Sequence, residues 1–186
     1  DHIFLLDGLE QHLDEIAHVG GNYVRCTMSQ REGLDLKPHA RRDDGQFDLD
    51  EWNADYWTRF ANCLKWCHER DIIIQIEVWD RFDYTDAREM GYWKISPWRP
   101  ANNVNFSYEQ SGFQERYIDH PSRDKQPFFH TIPGMEQYQP KYDLIRRYQE
   151  QFVSKMLSHS LPYGNVLYCM NNETSTDARW GQYWIQ

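Results

Sequence analysis

The chain has 186 residues and a formal net charge of −9, and 40% of its residues are hydrophobic. This length supplies one sizeable core, so a single domain over residues 1–186 is expected. The acidic balance and the scattered basic residues argue against a nucleic-acid partner, which requires a basic surface. No apolar run approaches the roughly 20 residues needed to cross a bilayer, so no membrane span is expected.

The first part of the chain alternates helical and strand patterns. Apolar residues recur at helical spacing over residues 6–17, and Asp7 with Glu10 resembles a capping box. A β-rich run at about residues 22–28 follows a Gly-Gly pair. A second amphipathic helix, with one apolar stripe over residues 52–67, leads into the strand "DIIIQIEVWD". Its aliphatic residues alternate with polar ones, as in a barrel strand with one face on helices and the other toward the interior.

The second part begins with a long irregular region, about residues 81–140, that is rich in proline and aromatic residues. Loops of this length in compact domains are usually functional or disordered, and the aromatic content argues against disorder. A third helix is expected over about residues 142–159, followed by the strand "NVLYCMNNE". Thr174 with Asp177 is then placed to cap a fourth helix.

This order of elements predicts an α/β fold with parallel strands and right-handed crossovers. Three strands cannot close a barrel, and a (β/α)₈ barrel usually needs about 250 residues. We therefore expect a partial (β/α)₈ TIM barrel that covers about strands 2 to 4. Its partner would be the remaining half of the barrel, contributed by the parent chain.

Polar residues stand at the carboxyl ends of all three predicted strands. In parallel α/β folds, ligands bind at this edge, because the loops that follow the strands emerge there. An arginine, several carboxylates, amides and a tryptophan are unusual in a packed core and suit a carbohydrate site. These residues are Arg25 on the first strand, Glu77, Trp79 and Asp80 on the second, and Asn171, Asn172 and Glu173 on the third.

Two of these strand ends carry a known pattern. The Asn172-Glu173 pair in "LYCMNNE" and Arg25 in "GGNYVRC" resemble motifs of the clan A glycoside hydrolases, a (β/α)₈ superfamily of cellulases, mannanases and relatives. In that family the Asn-Glu pair ends the fourth strand and the arginine lies on the second. The resemblance extends over most of the chain in the order of elements, whereas the motifs themselves are short.

The resemblance implies a retaining glycosidase that acts on a carbohydrate substrate. Glu173 would protonate the leaving oxygen and then act as base toward water, which requires a pKa raised by partial burial or a second carboxylate. Asn172 would hydrogen-bond the sugar 2-hydroxyl, and Arg25 would orient the nucleophile. The family's nucleophile is a glutamate at the end of the seventh strand, which has no counterpart in this sequence, so the isolated chain is expected to be inactive.

Several alternatives remain open from the residues alone. Glu77 or Asp80, on the strand next to that of Glu173, would replace the nucleophile at the separation of an inverting pair, although Glu77 paired with Arg25 and Asp80 lining the cleft is the favoured arrangement. Trp98 and Asn103 in the long loop would form a sugar platform and a hydroxyl partner, or else anchor that loop. Glu173 would instead be a carboxylate at a helix start.

A second hypothesis is a non-catalytic barrel that binds carbohydrate. No metal or cofactor is expected, because neither metal-ligand spacing nor a phosphate-binding glycine loop is present, and no G-x-S-x-G elbow occurs. The four cysteines are expected to be buried free thiols. The eight histidines, including His120 and His130, show no spacing that singles one out. A secreted or periplasmic location is expected by analogy alone.

Overall fold

The computed structural model describes residues 3–29, 36–87 and 91–186, and it is a mixed α/β structure around a parallel sheet. The strands are β1 (Tyr23–Thr27), β2 (His39–Arg41), β3 (Phe47–Trp52), β4 (Ile73–Asp80) and β5 (Val166–Asn172). The parallel sheet has the order β1-β4-β5, and both neighbouring pairs are parallel, as predicted.

The predicted helices are present, together with one short helix inside the long loop. They are α1 (Leu9–His18), α2 (Ala54–Glu69), α3 (Tyr108–Ser111), α4 (Asp143–Ser160) and α5 (Ala178–Trp184). Asn53 caps α2 by accepting a hydrogen bond from the backbone N–H of Asp55, and Asp177 caps α5 in the same way. The capping box predicted from Asp7 and Glu10 is wrong, because Gly8, which has no side-chain oxygen, takes the cap position of α1.

The two faces of the sheet differ in what covers them. On one face, Ile74 and Ile76 are fully buried in a hydrophobic cluster that includes the apolar stripe of α2. Cys26 of β1 lies on the same face and contacts Cys63 of α2. We call this the helix-facing face. The alternation of side chains along a strand sends the residues between these to the opposite face.

That opposite face, which we call the open face, carries Tyr23, Arg25, Ile73, Glu77 and Leu167, together with the other residues in register with them. Tyr23, Ile73 and Leu167 expose 47%, 38% and 51% of their surface. The sheet therefore keeps large apolar side chains in contact with solvent beside its charged residues.

A hairpin that the sequence interpretation missed lies between β1 and α2. Strands β2 and β3 pair antiparallel, and Gly45, with φ of +85°, forms the turn between them. This turn is closed by a hydrogen bond from the N–H of Arg42 to the carbonyl of Gln46, at 2.8 Å. Both strands are short, and the sequence interpretation overlooked two signals, the alternation of Phe47 and Leu49 with aspartates and the Asp-Gly turn pair at residues 44–45. Residues 30–35 of the preceding polar segment lie outside the described residues.

The long loop is packed through its aromatic residues. Trp93, Trp98, Phe128 and Phe129 are buried, and short 3₁₀ turns replace longer elements. Residues 88–90 of this loop lie outside the described ranges. Its aromatic residues therefore anchor the loop onto the fold, which accounts for an ordered path without sheet or long helix.

The structure also bears on the cysteines and on membrane-spanning segments. Cys26, Cys63 and Cys67 are buried free thiols as predicted, whereas Cys169 is a free thiol that is only partly buried. Among the described helices, none combines the length and the apolar character that a bilayer crossing would need.

Candidate functional site

An arginine–glutamate pair lies on the open face. Nη2 of Arg25 lies 2.7 Å and 2.9 Å from the two carboxylate oxygens of Glu77. The side chain of Glu77 is 4% exposed, whereas that of Arg25 is 48% exposed. The hydrogen bond to Glu77 raises the pKa of Arg25. A buried carboxylate thus has its counter-ion, and the guanidinium still reaches solvent.

The amide of Asn172 extends this pair across the third strand. Its Oδ1 accepts from Arg25 Nη2 at 3.4 Å, and its Nδ2 donates to Asp80 Oδ2 at 2.9 Å. Asp80 also accepts from the backbone N–H of Phe82 at 2.9 Å, which caps the turn after β4. Both ends of the amide are engaged, so its orientation follows from its partners.

Further hydrogen bonds continue the network toward the other end of the sheet. Gln75 Nε2 donates to Glu77 Oε1 at 3.4 Å, and the hydroxyl of Tyr23 donates to Gln75 at 2.9 Å. A line of polar side chains therefore crosses all three parallel strands. Such networks orient their members, because moving one leaves the next without a partner.

Glu173 follows directly after β5 and lies at the same edge of the sheet. Its Oε2 is 3.1 Å from Nη2 of Arg81, and its side chain is 59% exposed. The side chain of Glu173 is therefore more exposed than expected for an acid catalyst. Its φ of +53° is in the left-handed region, and so is that of Ser175, at +51°. Non-glycine residues in this region are strained and concentrate at functional sites.

His120 from the long loop holds the backbone at this position. Its Nε2 lies 2.8 Å from the carbonyl oxygen of Glu173, and its Nδ1 lies 2.8 Å from the hydroxyl of Ser122. Because a carbonyl oxygen only accepts, Nε2 carries the proton and Nδ1 accepts from Ser122. His120 and Arg81 are contacts that the sequence interpretation did not assign. Arg81 follows the strand end by one residue, which is a usable signal, whereas nothing local links His120 to Glu173.

Two tryptophans that were predicted to bind sugar are buried among aromatic residues. The ring centre of Trp79 lies 5.0 Å from that of Phe152 of α4 and 5.1 Å from that of Phe128. Trp98 packs edge-on against Phe128 and Trp79, and both tryptophans are nearly inaccessible. Large rings gain free energy from such burial, and in this arrangement neither ring offers a face to a sugar.

Asn103 also has a structural role, in the long loop. Its Nδ2 donates to the carbonyls of Pro97 and Arg99, and its Oδ1 accepts from the backbone N–H groups of Asn105 and Phe106. The amide is buried and satisfies the loop backbone, which is the structural alternative weighed for it.

The arrangement of the other carboxylates bears on the inverting alternative. Glu77 is engaged by Arg25, and Asp80 is engaged by Asn172 and the turn backbone, and both are buried. Neither presents a carboxylate to an open cleft in the way that a water-activating base requires. Within the described ranges, no group of three or more His, Cys, Asp or Glu side chains is placed to hold a metal ion.

No family model matches this chain, and no curated protein matches it. The solved structures that are similar to most of this chain include the following two. A crystal structure of a glycoside hydrolase is 12% identical, with 90% of this chain and 48% of that chain covered and a TM-score of 0.34. The β-glycosidase from the hyperthermophile Thermosphaera aggregans is 12% identical, with 87% and 42% covered and a TM-score of 0.27. This chain spans about half the length of those proteins or less, and the similarity is too low to transfer an activity.

Proposed function

We propose that this chain carries the acid/base part of the active site of a retaining glycoside hydrolase, on a partial (β/α)₈ barrel. The observation that carries the proposal is the network of Arg25, Glu77 and Asn172 at the carboxyl edge of one parallel sheet, with Glu173 following Asn172 directly at the same edge. The Asn172-Glu173 pair and Arg25 are also the residues whose sequence context resembles the clan A glycoside hydrolases.

The open face supports the barrel part of the proposal. In a closed barrel this face would be the interior, and further strands would cover Tyr23, Ile73 and Leu167. Exposed apolar side chains grouped on one face are a known sign of a missing partner surface. The charged network beside them would then line the mouth of the barrel, where polar residues belong.

The chemistry assigned to each residue follows from its contacts. Glu173 donates a proton to the glycosidic oxygen and then takes one from water. In the first step one carboxyl oxygen of Glu173 carries the proton that is donated, while the other oxygen still accepts a hydrogen bond from Arg81, because a guanidinium only donates. Asn172 uses one amide N–H on Asp80 and keeps the second for a sugar hydroxyl. The solvent-exposed side of Arg25 would orient a nucleophilic carboxylate from the remaining strands.

A non-catalytic barrel that binds carbohydrate is the second candidate. It is favoured by one observation, the exposure of Glu173 and its pairing with Arg81, which suits a positioning role better than proton donation. Both candidates use the same edge of the sheet, so they differ in turnover and not in the place where a glycan binds.

The test replaces Glu173 with Gln in a form of the protein that carries the remaining strands. Turnover on ordinary glycosides should fall about 10²- to 10⁴-fold, the usual contribution of a general acid/base group. Glu115→Gln is the matched control, because Glu115 is also exposed and also pairs with an arginine, Arg99, at 3.6 Å. Near-normal turnover in Glu173→Gln would remove Glu173 from the acid/base role, and glycan binding by the unaltered protein without turnover would favour the second candidate.

A further inference from the structure

A cavity of about 350 Å³ lies beside Glu173, and the proposed function assigns no ligand to it. Three segments form it: the turn that follows β4, residues 119–123 of the long loop, and Ser175 after β5. Two of these segments follow the carboxyl ends of parallel strands, so the cavity opens at the same edge as the proposed acid/base. Its other polar lining residues are Arg81, Thr85, Asp119, His120, Ser122 and Arg123.

Two arginines line this cavity, and each pairs with a carboxylate. Arg81 pairs with Glu173 at 3.1 Å, and Arg123 pairs with Asp119 at 3.5 Å and is largely exposed. The charges of these four groups balance. Each guanidinium has five N–H donors, so both arginines keep donors for an anionic group of a ligand.

The guanidinium of Arg81 is held in a defined position. It lies 4.5 Å from the centre of the Phe82 ring, and one of its nitrogens, Nη2, contacts Glu173. A guanidinium has five N–H donors in a planar fork, so this pair leaves donors for a second group of anionic oxygens. Arg81 can thus contact a ligand and the proposed catalytic carboxylate at the same time.

The wall of the cavity is also preorganised. His120 joins residues 119–123 to the carbonyl of Glu173, and Thr85 Oγ1 donates to the carbonyl of Asp119 at 2.7 Å. The N–H of Asp119 donates to the carboxylate of Asp124 at 2.8 Å, which closes the loop on itself. A wall that is fixed before binding loses less conformational freedom when a ligand arrives.

We propose that this cavity is a subsite for an acidic sugar, in which Arg81 and Arg123 bind the anionic oxygens of a uronate carboxylate or a sulfate ester. The inference rests on the proposed function, since it places the acidic sugar next to the bond that Glu173 would protonate. Guanidinium groups bind planar carboxylates and sulfate oxygens through paired, charge-assisted hydrogen bonds. A volume of about 350 Å³ is at the small end of ligand pockets, as expected for a single ring.

Chemical-shift titration of the 186-residue chain with galacturonate, glucose 6-sulfate, galactose and glucose tests this subsite. At least one acidic sugar should bind roughly tenfold or more tightly than its neutral parent, and the tighter of the two acidic sugars identifies the anionic group. Raising the salt concentration from about 20 mM to about 200 mM should weaken binding of the acidic sugar only.

Arg123→Gln should weaken binding of the acidic sugar roughly 3- to 10-fold. Arg42→Gln is the matched control, because Arg42 is also exposed and pairs with Asp44 at 3.5 Å, and it should leave affinity unchanged. Equal affinity for acidic and neutral sugars, or an unchanged affinity in Arg123→Gln, would overturn the subsite.

The two proposals fail separately in these measurements. A protein that hydrolyses neutral glycosides and binds no acidic sugar would keep the proposed function and lose the subsite. A protein that binds the acidic sugar through Arg123 and hydrolyses no glycoside would keep the subsite and lose the catalytic assignment.

Discussion

The helix-facing face and the open face of the sheet are built from alternate residues of the same three strands, yet different forces hold them. On the helix-facing face, Cys26, Ile74 and Ile76 are fully buried, so burial of apolar surface dominates. On the open face, large apolar residues remain exposed, and the ordered contacts are the hydrogen bonds around Arg25 and Glu77.

Within a single strand, the residues expected to stabilise the fold therefore alternate with the residues proposed to form the site. The helix-facing residues are expected to set the free energy of unfolding, whereas the open-face residues keep charged groups in place at a stability cost. Strand β4 shows both properties, since Ile76 is in the core and its neighbour Glu77 is in the polar network. Variants at adjacent positions of one strand can therefore test the comparison directly.

The largest effect is expected from Ile76→Ala on the helix-facing face. Removing three buried carbons from a packed core should lower the free energy of unfolding by about 2–5 kcal/mol. The matched variant, Ile73→Ala on the open face, should change it by about 0.5 kcal/mol or less, because Ile73 already contacts water. Urea unfolding measures both, and equal losses would show that the two faces are not distinct.

The next effect concerns the buried carboxylate of the open face. Arg25→Ala leaves Glu77 without its counter-ion and should lower the free energy of unfolding by about 2–3 kcal/mol. This is less than for a fully buried pair, because Arg25 is half exposed. Adding Glu77→Gln should restore most of the loss, since the buried charge is then gone.

The control for this pair is Arg42→Ala, which removes one partner of an exposed ion pair with Asp44. It should alter the free energy of unfolding by less than about 1 kcal/mol. If Arg25→Ala is as mild as this control, then Glu77 does not depend on Arg25 and the network does not support the site.

We also expect the free energy of unfolding to depend on pH through the buried side chain of His39. This imidazole stacks on Trp52, and neither of its nitrogens has a hydrogen-bond partner among the described residues. Burial lowers the pKa of His39 to about 3, from about 6.5 in an unfolded chain. Below pH 6.5 the unfolded chain therefore binds a proton that the folded protein does not, and stability falls as the pH falls toward 3.

The loss from His39 should reach about 2 kcal/mol at pH 5 relative to pH 7 or above. His39→Phe keeps an aromatic ring on Trp52 and should remove this part of the pH dependence in urea unfolding at pH 7 and pH 5. The exposed His12→Gln is the control for loss of a histidine. The same slope in wild type and His39→Phe would contradict the prediction.

The smallest effect on stability is expected where the open face is apolar. Replacing Tyr23, Ile73 and Leu167 together with Ser should change the free energy of unfolding by only about 1 kcal/mol, because all three are partly exposed. Binding of a hydrophobic dye by the isolated chain should nevertheless fall severalfold, since these residues form one apolar surface.

A control for the dye measurement replaces Val19, Ile118 and Leu161, which are exposed at three separate points of the chain. Scattered apolar residues are normal on protein surfaces and should contribute little dye binding. An equal fall in both triple variants would show that the open face is not a distinct apolar surface, and would weaken the proposal that further strands cover it.

The sequence by itself determined the three parallel strands, the main helices and the Arg25–Glu77 pair. These follow from periodicity and from the rule that parallel strands end at one edge, which need only local patterns. The hairpin of β2 and β3 was missed because β2 is very short and the alternation of Phe47 and Leu49 with aspartates in β3 extends over only a few positions.

Only the tertiary structure decided where the side chains at the strand ends lie. It directed Trp79 into the aromatic cluster around Phe128, and it brought His120 to the carbonyl of Glu173, a residue 53 positions away in the chain. It also left Glu173 exposed and paired with Arg81. Such contacts arise from the packing of the long loop against the sheet, which depends on shape and burial in three dimensions and leaves no spacing in the sequence.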